Sequence, residues 1–237
     1  MSNELQPTGK NELDKSRENK GLGFLNVVLK PIKTKKKLAV LVLDGSGSMT
    51  HPGDSGQSKA AEVSDAVAGF LKRLKHSKHY HEYYISVVCF DDRQITKINH
   101  AELAILQLES LNFDPTLGLK GRTRIDLAIT AAINNAEAFV NQQSGIHDLP
   151  HSAVVLLMSD GYCDVASTTL QSMAGYANPT VKIATVFYGE LSEENKGALK
   201  FMEDLASKDE KGHTLATHVK DADQLKTWFF DKTITTF

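Results

Sequence analysis

The segment Asp44-Gly45-Ser46-Gly47-Ser48 places one carboxylate and two hydroxyls on alternate residues. If the loop curls, these oxygens can face one point. Oxygen donors of this kind suit a hard divalent cation, magnesium above all, with manganese as a second choice. The two glycines allow the backbone to turn sharply and to pass close to a bound ion. An EF-hand reading fails, because the twelfth loop position counted from Asp44 is Ser55, where a bidentate Glu is needed.

The elements that must hold these oxygens are readable. Leu38-Ala39-Val40-Leu41-Val42-Leu43 directly precedes Asp44 and is an unbroken apolar run, the pattern of a strand buried on both faces. Ala153-Val154-Val155-Leu156-Leu157-Met158-Ser159 repeats that pattern and ends at Asp160-Gly161. Strands are also expected over 83–90 and 181–188, a short one over 214–219, and an antiparallel edge strand over 94–99 after the Asp91-Asp92 turn. Apolar residues at three- and four-residue spacing predict helices from Ala60 to Leu74, with Ser58 as N-cap, and from Ile125 to Val140. Further helices are expected over 167–177, over 193–207 with Ser192 as N-cap, and around Ala222–Phe229, and residues 102–108 look briefly helical. The alternation predicts an α/β fold: a doubly wound, mostly parallel central sheet with helices on both faces and one antiparallel edge strand. In such sheets the ligand site lies outside the carboxyl ends of the strands, where Asp44 and Asp160 both fall.

Asp-x-Ser-x-Ser after a buried strand resembles the start of a von Willebrand factor A (VWA) domain with a metal-ion-dependent adhesion site. The resemblance spans roughly residues 36–232. It implies a ligand set completed by a threonine from a later loop and an aspartate at another strand end. Thr123, in Gly121-Arg122-Thr123, and Asp160 take those places, so the implied metal ligands are Asp44, Ser46, Ser48, Thr123 and Asp160. Arg122 departs from the glycine common before that threonine. The resemblance also implies the function: a protein-interaction module in which a partner's Asp or Glu completes the coordination of a bound Mg2+ or Mn2+. A weaker similarity, resting on size and the Leu-Asp-Gly-Ser-Gly-Ser-Met stretch, is to cytoplasmic bacterial tellurite-resistance-associated VWA proteins and implies a stress, defence or signalling complex. A substrate-docking co-subunit of an ATPase or chelatase machine is an alternative.

Composition narrows the classes. The chain has 237 residues, 41% apolar, with a net charge of −2, which suits one large domain and gives no basis for bulk nucleic-acid binding. No apolar stretch approaches the ~20 residues of a membrane-spanning helix. Residues 1–20 are polar with no apolar signal core, which predicts a cytoplasmic protein. Residues 1–35 read as a flexible arm and basic connector carrying the apolar island Phe24–Leu29, and residues 36–237 as the domain. Cys89 reads as a small core residue and Cys163 as an incidental loop thiol.

A catalytic role is not expected. Gly-x-Ser-x-Gly and the Gly-x-x-x-x-Gly-Lys-Ser/Thr phosphate loop are both absent. His51 and the histidines at 147 and 151 read as ordinary loop residues rather than bases. A magnesium-dependent phosphotransfer or hydrolytic enzyme would use a strand-end Asp, but would not require two serines and a distant threonine. Asp91, Asp92, Asp126 and Asp164 could ring the site, and each reads as a solvated loop or helix-start acid.

Overall fold

The computed structural model describes residues 35–142, 149–161, 176–193 and 195–237. Its strands are β1 (Lys37–Asp44), β2 (Tyr83–Phe90), β3 (Gln94–Glu102), β4 (Ser152–Ser159), β5 (Val181–Tyr188) and β6 (Ala216–Val219). The described helices are α1 (Lys59–Lys75), α2 (Ile125–Val140), α3 (Lys196–Leu205) and α4 (Ala222–Thr235). The strands form one sheet in the order β3-β2-β1-β4-β5-β6. All neighbours pair in parallel except β2 and β3. The expected doubly wound sheet with an antiparallel edge is the observed one.

The apolar runs have the reason inferred for them. Leu38 through Leu43 are all 0% exposed. Ala39, Leu41 and Leu43 pack with Val63, Val67 and Phe70 of α1 and with Phe229 of α4. Leu38, Val40 and Val42 pack on the other face with Ile129 and Ala132 of α2 and with Met202 of α3. A side-chain period of two feeds both layers from one strand. Each fully buried Leu or Val contributes about 1.5–3 kcal/mol of transfer free energy. On the first face, the Phe70 and Phe229 rings lie 5.7 Å apart and join α1 to α4.

Several boundaries differ from the sequence expectation. The edge strand runs on to Glu102. It passes through two register shifts against β2 and through His100, which has a positive φ of 46°. The Ser86 hydroxyl accepts the His100 N–H at 3.0 Å and holds that bend. The brief helical look of 102–108 resolves into turns and one 3-10 turn, Leu108–Ser110. The helix expected from Glu193 starts at Lys196. Asn195 accepts the Ser192 N–H at 2.6 Å and donates to the Glu190 carbonyl at 2.8 Å, so its amide folds the preceding residues into a turn and Ser192 is not the N-cap. The last strand starts at Ala216, because Thr214 instead bridges to Lys208. The arm over 1–35 and the helix over 167–177 fall almost wholly outside the described residues. Cys163, Asp164 and His147 fall wholly outside them.

Candidate metal centre

The chain leaves β1 on one side for β2 and β3, then returns to the other side for β4. The carboxyl ends of β1 and β4 therefore lie side by side at the point where strand order reverses. Their register pairs Leu43 with Met158, which brings Asp44 beside Ser159. The Ser159 hydroxyl donates to Asp44 Oδ2 at 2.5 Å, and the Ser46 N–H donates to Asp44 Oδ1 at 2.8 Å. The Ser46 and Ser48 hydroxyls are 3.1 Å apart, and Ser48 donates to Asp160 Oδ1 at 2.6 Å. Four of the five expected ligand residues thus meet in one hydrogen-bonded network. Asp44 is fully buried, and Ser46 and Asp160 nearly so.

The loop curls by a single 3-10 turn, Gly47–Thr50, anchored by the buried Met49 and closed by Thr50 Oγ1 donating to the Gly47 carbonyl at 2.7 Å. Gly45 and Gly47 are not among the glycines with positive φ. The sharp turn expected here includes Gly47, but it does not use the left-handed conformation that favours glycine. A Cβ on Gly45 would lie 2.3 Å from the Pro115 carbonyl oxygen, so the residue is small to let another backbone approach. That backbone belongs to the loop leading to Thr123, which is also held by the Gly47 N–H donating to the Gly121 carbonyl at 3.1 Å. Thr123 follows two residues on, and its hydroxyl is not part of the Asp44–Ser46–Ser48–Asp160 hydrogen-bond network.

Asp91 is not a solvated acid. It is 1% exposed and fastens the Thr123 loop to the end of β2. Its Oδ2 accepts the Lys120 and Gly121 N–H groups, each at 2.9 Å, and its Oδ1 accepts the Arg93 N–H at 2.9 Å. Burial alone would raise its pKa, but these N–H donors outweigh it and hold the carboxyl below its ordinary value. Asp126 is likewise buried, and Arg124 grips it with two bonds of 2.8 and 2.7 Å. Asp92 and His51 are exposed.

The sequence matches no protein-family model and no curated protein. Solved structures do match. The von Willebrand factor type A protein from Catenulispora acidiphila aligns over 84% of this chain at 14% identity and a TM-score of 0.56. The fold is that of a VWA domain. VWA2, the ArnB paralog from Sulfolobus acidocaldarius, aligns over 84% of the chain at 20% identity and TM-score 0.56. Proximal thread matrix protein 1 from the mussel byssus, whose structure has a zinc-occupied metal-ion-dependent adhesion site motif, aligns over 85% at 12% identity and TM-score 0.56. The chain spans 42%, 45% and 48% of those three proteins' own chains.

In a VWA frame the donor set fits a hard cation. All four gathered side chains offer oxygen. Their two carboxylates crowd each other: burial first, and then the Asp160 charge, raise the Asp44 pKa to about 6, against the opposing hydrogen bonds from Ser159 and Ser46. A cation between them relieves both effects. No cluster of three His, Cys, Asp or Glu side chains suited to a metal occurs among the described residues. This centre has only two carboxylates, and hydroxyls make up the rest.

Two participants were not anticipated from sequence. Ser159, read only as the last residue of a strand, orients Asp44. Lys59, which the sequence reading did not single out, places its Nζ 2.6 Å from Asp160 Oδ2. The parallel β1–β4 pairing was the available signal for Ser159. Nothing local signals Lys59, whose partner lies 101 residues away.

Proposed function

We propose that this VWA domain is a metal-dependent protein-interaction module. Asp44, Ser46, Ser48, Thr123 and Asp160 would hold one Mg2+ or Mn2+, and a partner protein would contribute an Asp or Glu carboxylate. The observation that carries the reading is the convergence of Asp44, Ser46, Ser48 and Asp160 through hydrogen bonds at the point where strand order reverses.

The bound ion supplies an electrophilic attachment point for the partner's carboxylate. The chain's residues prepare for it. Ser159 and the Ser46 N–H fix the Asp44 carboxylate, and the 3-10 turn keeps Ser48 facing Asp160. Asp91 holds the backbone of the Thr123 loop. Part of the proposal is that the site is not catalytic. Its Ser48 and Ser159 hydroxyls are spent on holding Asp160 and Asp44, and the sequence carries neither a nucleophile-elbow nor a phosphate-loop motif. A setting in a cytoplasmic stress-response or signalling complex is proposed from the sequence resemblance alone.

Titration calorimetry with Mg2+ and Mn2+ tests the site. Wild type should bind one ion and Asp44→Ala none. A partner recovered by pull-down should bind in Mg2+ and be lost in chelator. It should also be lost to Ser46→Ala or Thr123→Ala, and to Asn or Gln replacement of its bridging acid. Equal metal binding by wild type and Asp44→Ala would remove the site.

A further inference from the structure

Lys59 is the first residue of α1, where the helix dipole disfavours a cation. Its placement there is nonetheless firm. Ser58 caps the helix by accepting the Ala61 N–H at 3.2 Å, and the Lys59 N–H donates to the His51 carbonyl at 3.0 Å. The ammonium reaches into the centre, leaving its own side chain 22% and that of Asp160 1% exposed. Both Asp160 oxygens are then engaged, Oδ1 by the Ser48 hydroxyl and Oδ2 by Lys59. A divalent ion approaching Asp160 meets a fixed positive charge already bound there.

We propose that Lys59 is a resident counter-ion that competes with the divalent metal for Asp160 and so sets how tightly the centre loads. The inference rests on the metal-binding reading above. Electrostatics favours it: an ammonium a few ångströms from a dication, in a water-poor site, is strongly repelled. Loading therefore requires Lys59 to move. The structure gives it somewhere to go. A cavity of about 360 Å³ adjoins it, lined among others by Asp54, Tyr188 and Glu190. Gly189, whose φ of 121° calls for glycine, borders that cavity beside Lys59, and a Cβ on it would stand in ordinary contact 3.7 Å from Nζ. Asp54 on the cavity wall can receive the displaced ammonium, while Glu190 is already paired at 3.3 Å with Lys220, which lines the same cavity. Without metal, Lys59 neutralises Asp160 and spares the fold a buried, uncompensated charge.

The test compares wild type with Lys59→Met, which keeps length and removes charge, and Lys59→Arg, which keeps charge. Calorimetric titration with Mg2+ and with Mn2+ gives the affinity, and thermal melting in chelator gives the metal-free stability. Lys59→Met should bind either ion about tenfold or more tightly than wild type while melting lower in chelator, and Lys59→Arg should bind within about threefold of wild type. A lower melting temperature with unchanged or weaker metal binding would make Lys59 a purely structural partner of Asp160 and overturn the proposal, leaving the metal site intact. Tightening by Lys59→Arg equal to that by Lys59→Met would overturn it too, since charge would not be the cause. Absence of ion binding by all three proteins would overturn both this inference and the proposed function.

Discussion

A Cβ on Gly45 would lie 2.3 Å from the Pro115 carbonyl oxygen and 2.9 Å from its carbon, backbone atoms that cannot swing aside. On Gly47 it would meet only the Lys120 carbonyl oxygen, at 3.4 Å. The two glycines look alike in Asp-Gly-Ser-Gly-Ser, yet they should respond differently. Gly45→Ala is expected to cost about 1–3 kcal/mol by forcing the two loops apart and to weaken metal binding with it. Gly47→Ala should stay within about 1 kcal/mol of wild type. Denaturant melts with parallel metal titrations would check this, and equal effects would deny Gly45 its special role. Asp44 poses the opposite problem, a group whose cost is electrostatic. Its folded pKa of about 6 exceeds its ordinary 3.8, so in chelator its contribution favours folding below pH 3.8 and is lost as pH rises through 6. At pH 7 that loss is about 3 kcal/mol. Asp44→Asn should therefore be no less stable than metal-free wild type at pH 7, while failing to bind metal. A chelator melt in which the variant is clearly weaker would mean the buried charge is not what limits stability there.

The elements that read correctly were those with one unambiguous period. β1 and β4 are apolar on both faces, and α1 and α2 carry long stripes, so burial alone specified them. Hydrogen bonds formed by side chains distant in sequence, or by a single amide, were not legible. Asn195 displaced the start of α3 from Glu193, although Ser192 and the two acids after it make a good start signal. Ligand identity was legible in the β1 loop because the oxygens lie within five residues of each other. Asp91 was not, since its partners are backbone N–H groups, which leave no trace in residue type. It is the fastening between β2 and the Thr123 loop, and its carboxyl is held below its ordinary value because backbone donors outweigh the penalty of burial. Its stabilisation is therefore present above pH 3.8 and lost as pH falls below it. Asp91→Ala should cost about 2–4 kcal/mol, by analogy with other hydrogen bonds to buried charged groups, and should weaken metal binding by freeing the Thr123 loop. Asp91→Asn, keeping one acceptor, should lie between. Unchanged metal affinity in a folded Asp91→Ala protein would show that the loop holds its place without this carboxylate.

At the scale of the whole molecule, the two carboxylates sit where the sheet changes direction. The ends of β1 and β4 are brought together only by the complete fold, so the ion should bind the native state and not the unfolded chain. Metal is then a linked stabiliser of the entire domain. At free Mg2+ one hundred times the dissociation constant, the gain is about 2.7 kcal/mol. For a domain of about 200 residues, each kcal/mol moves the melting temperature by roughly 2–4 °C, so the midpoint should rise by about 5–11 °C between chelator and saturating Mg2+. The rise should vanish in Ser46→Ala and Asp44→Asn without either variant losing its cooperative transition. It should persist in a variant far from these loops, such as Ile105→Ser, where the native side chain is 75% exposed. A melting temperature indifferent to Mg2+ and Mn2+ at millimolar concentration, in a protein that melts cooperatively, would show that the strand-end oxygens are satisfied by one another and by Lys59. The domain would then be a scaffold that meets its partners through another face.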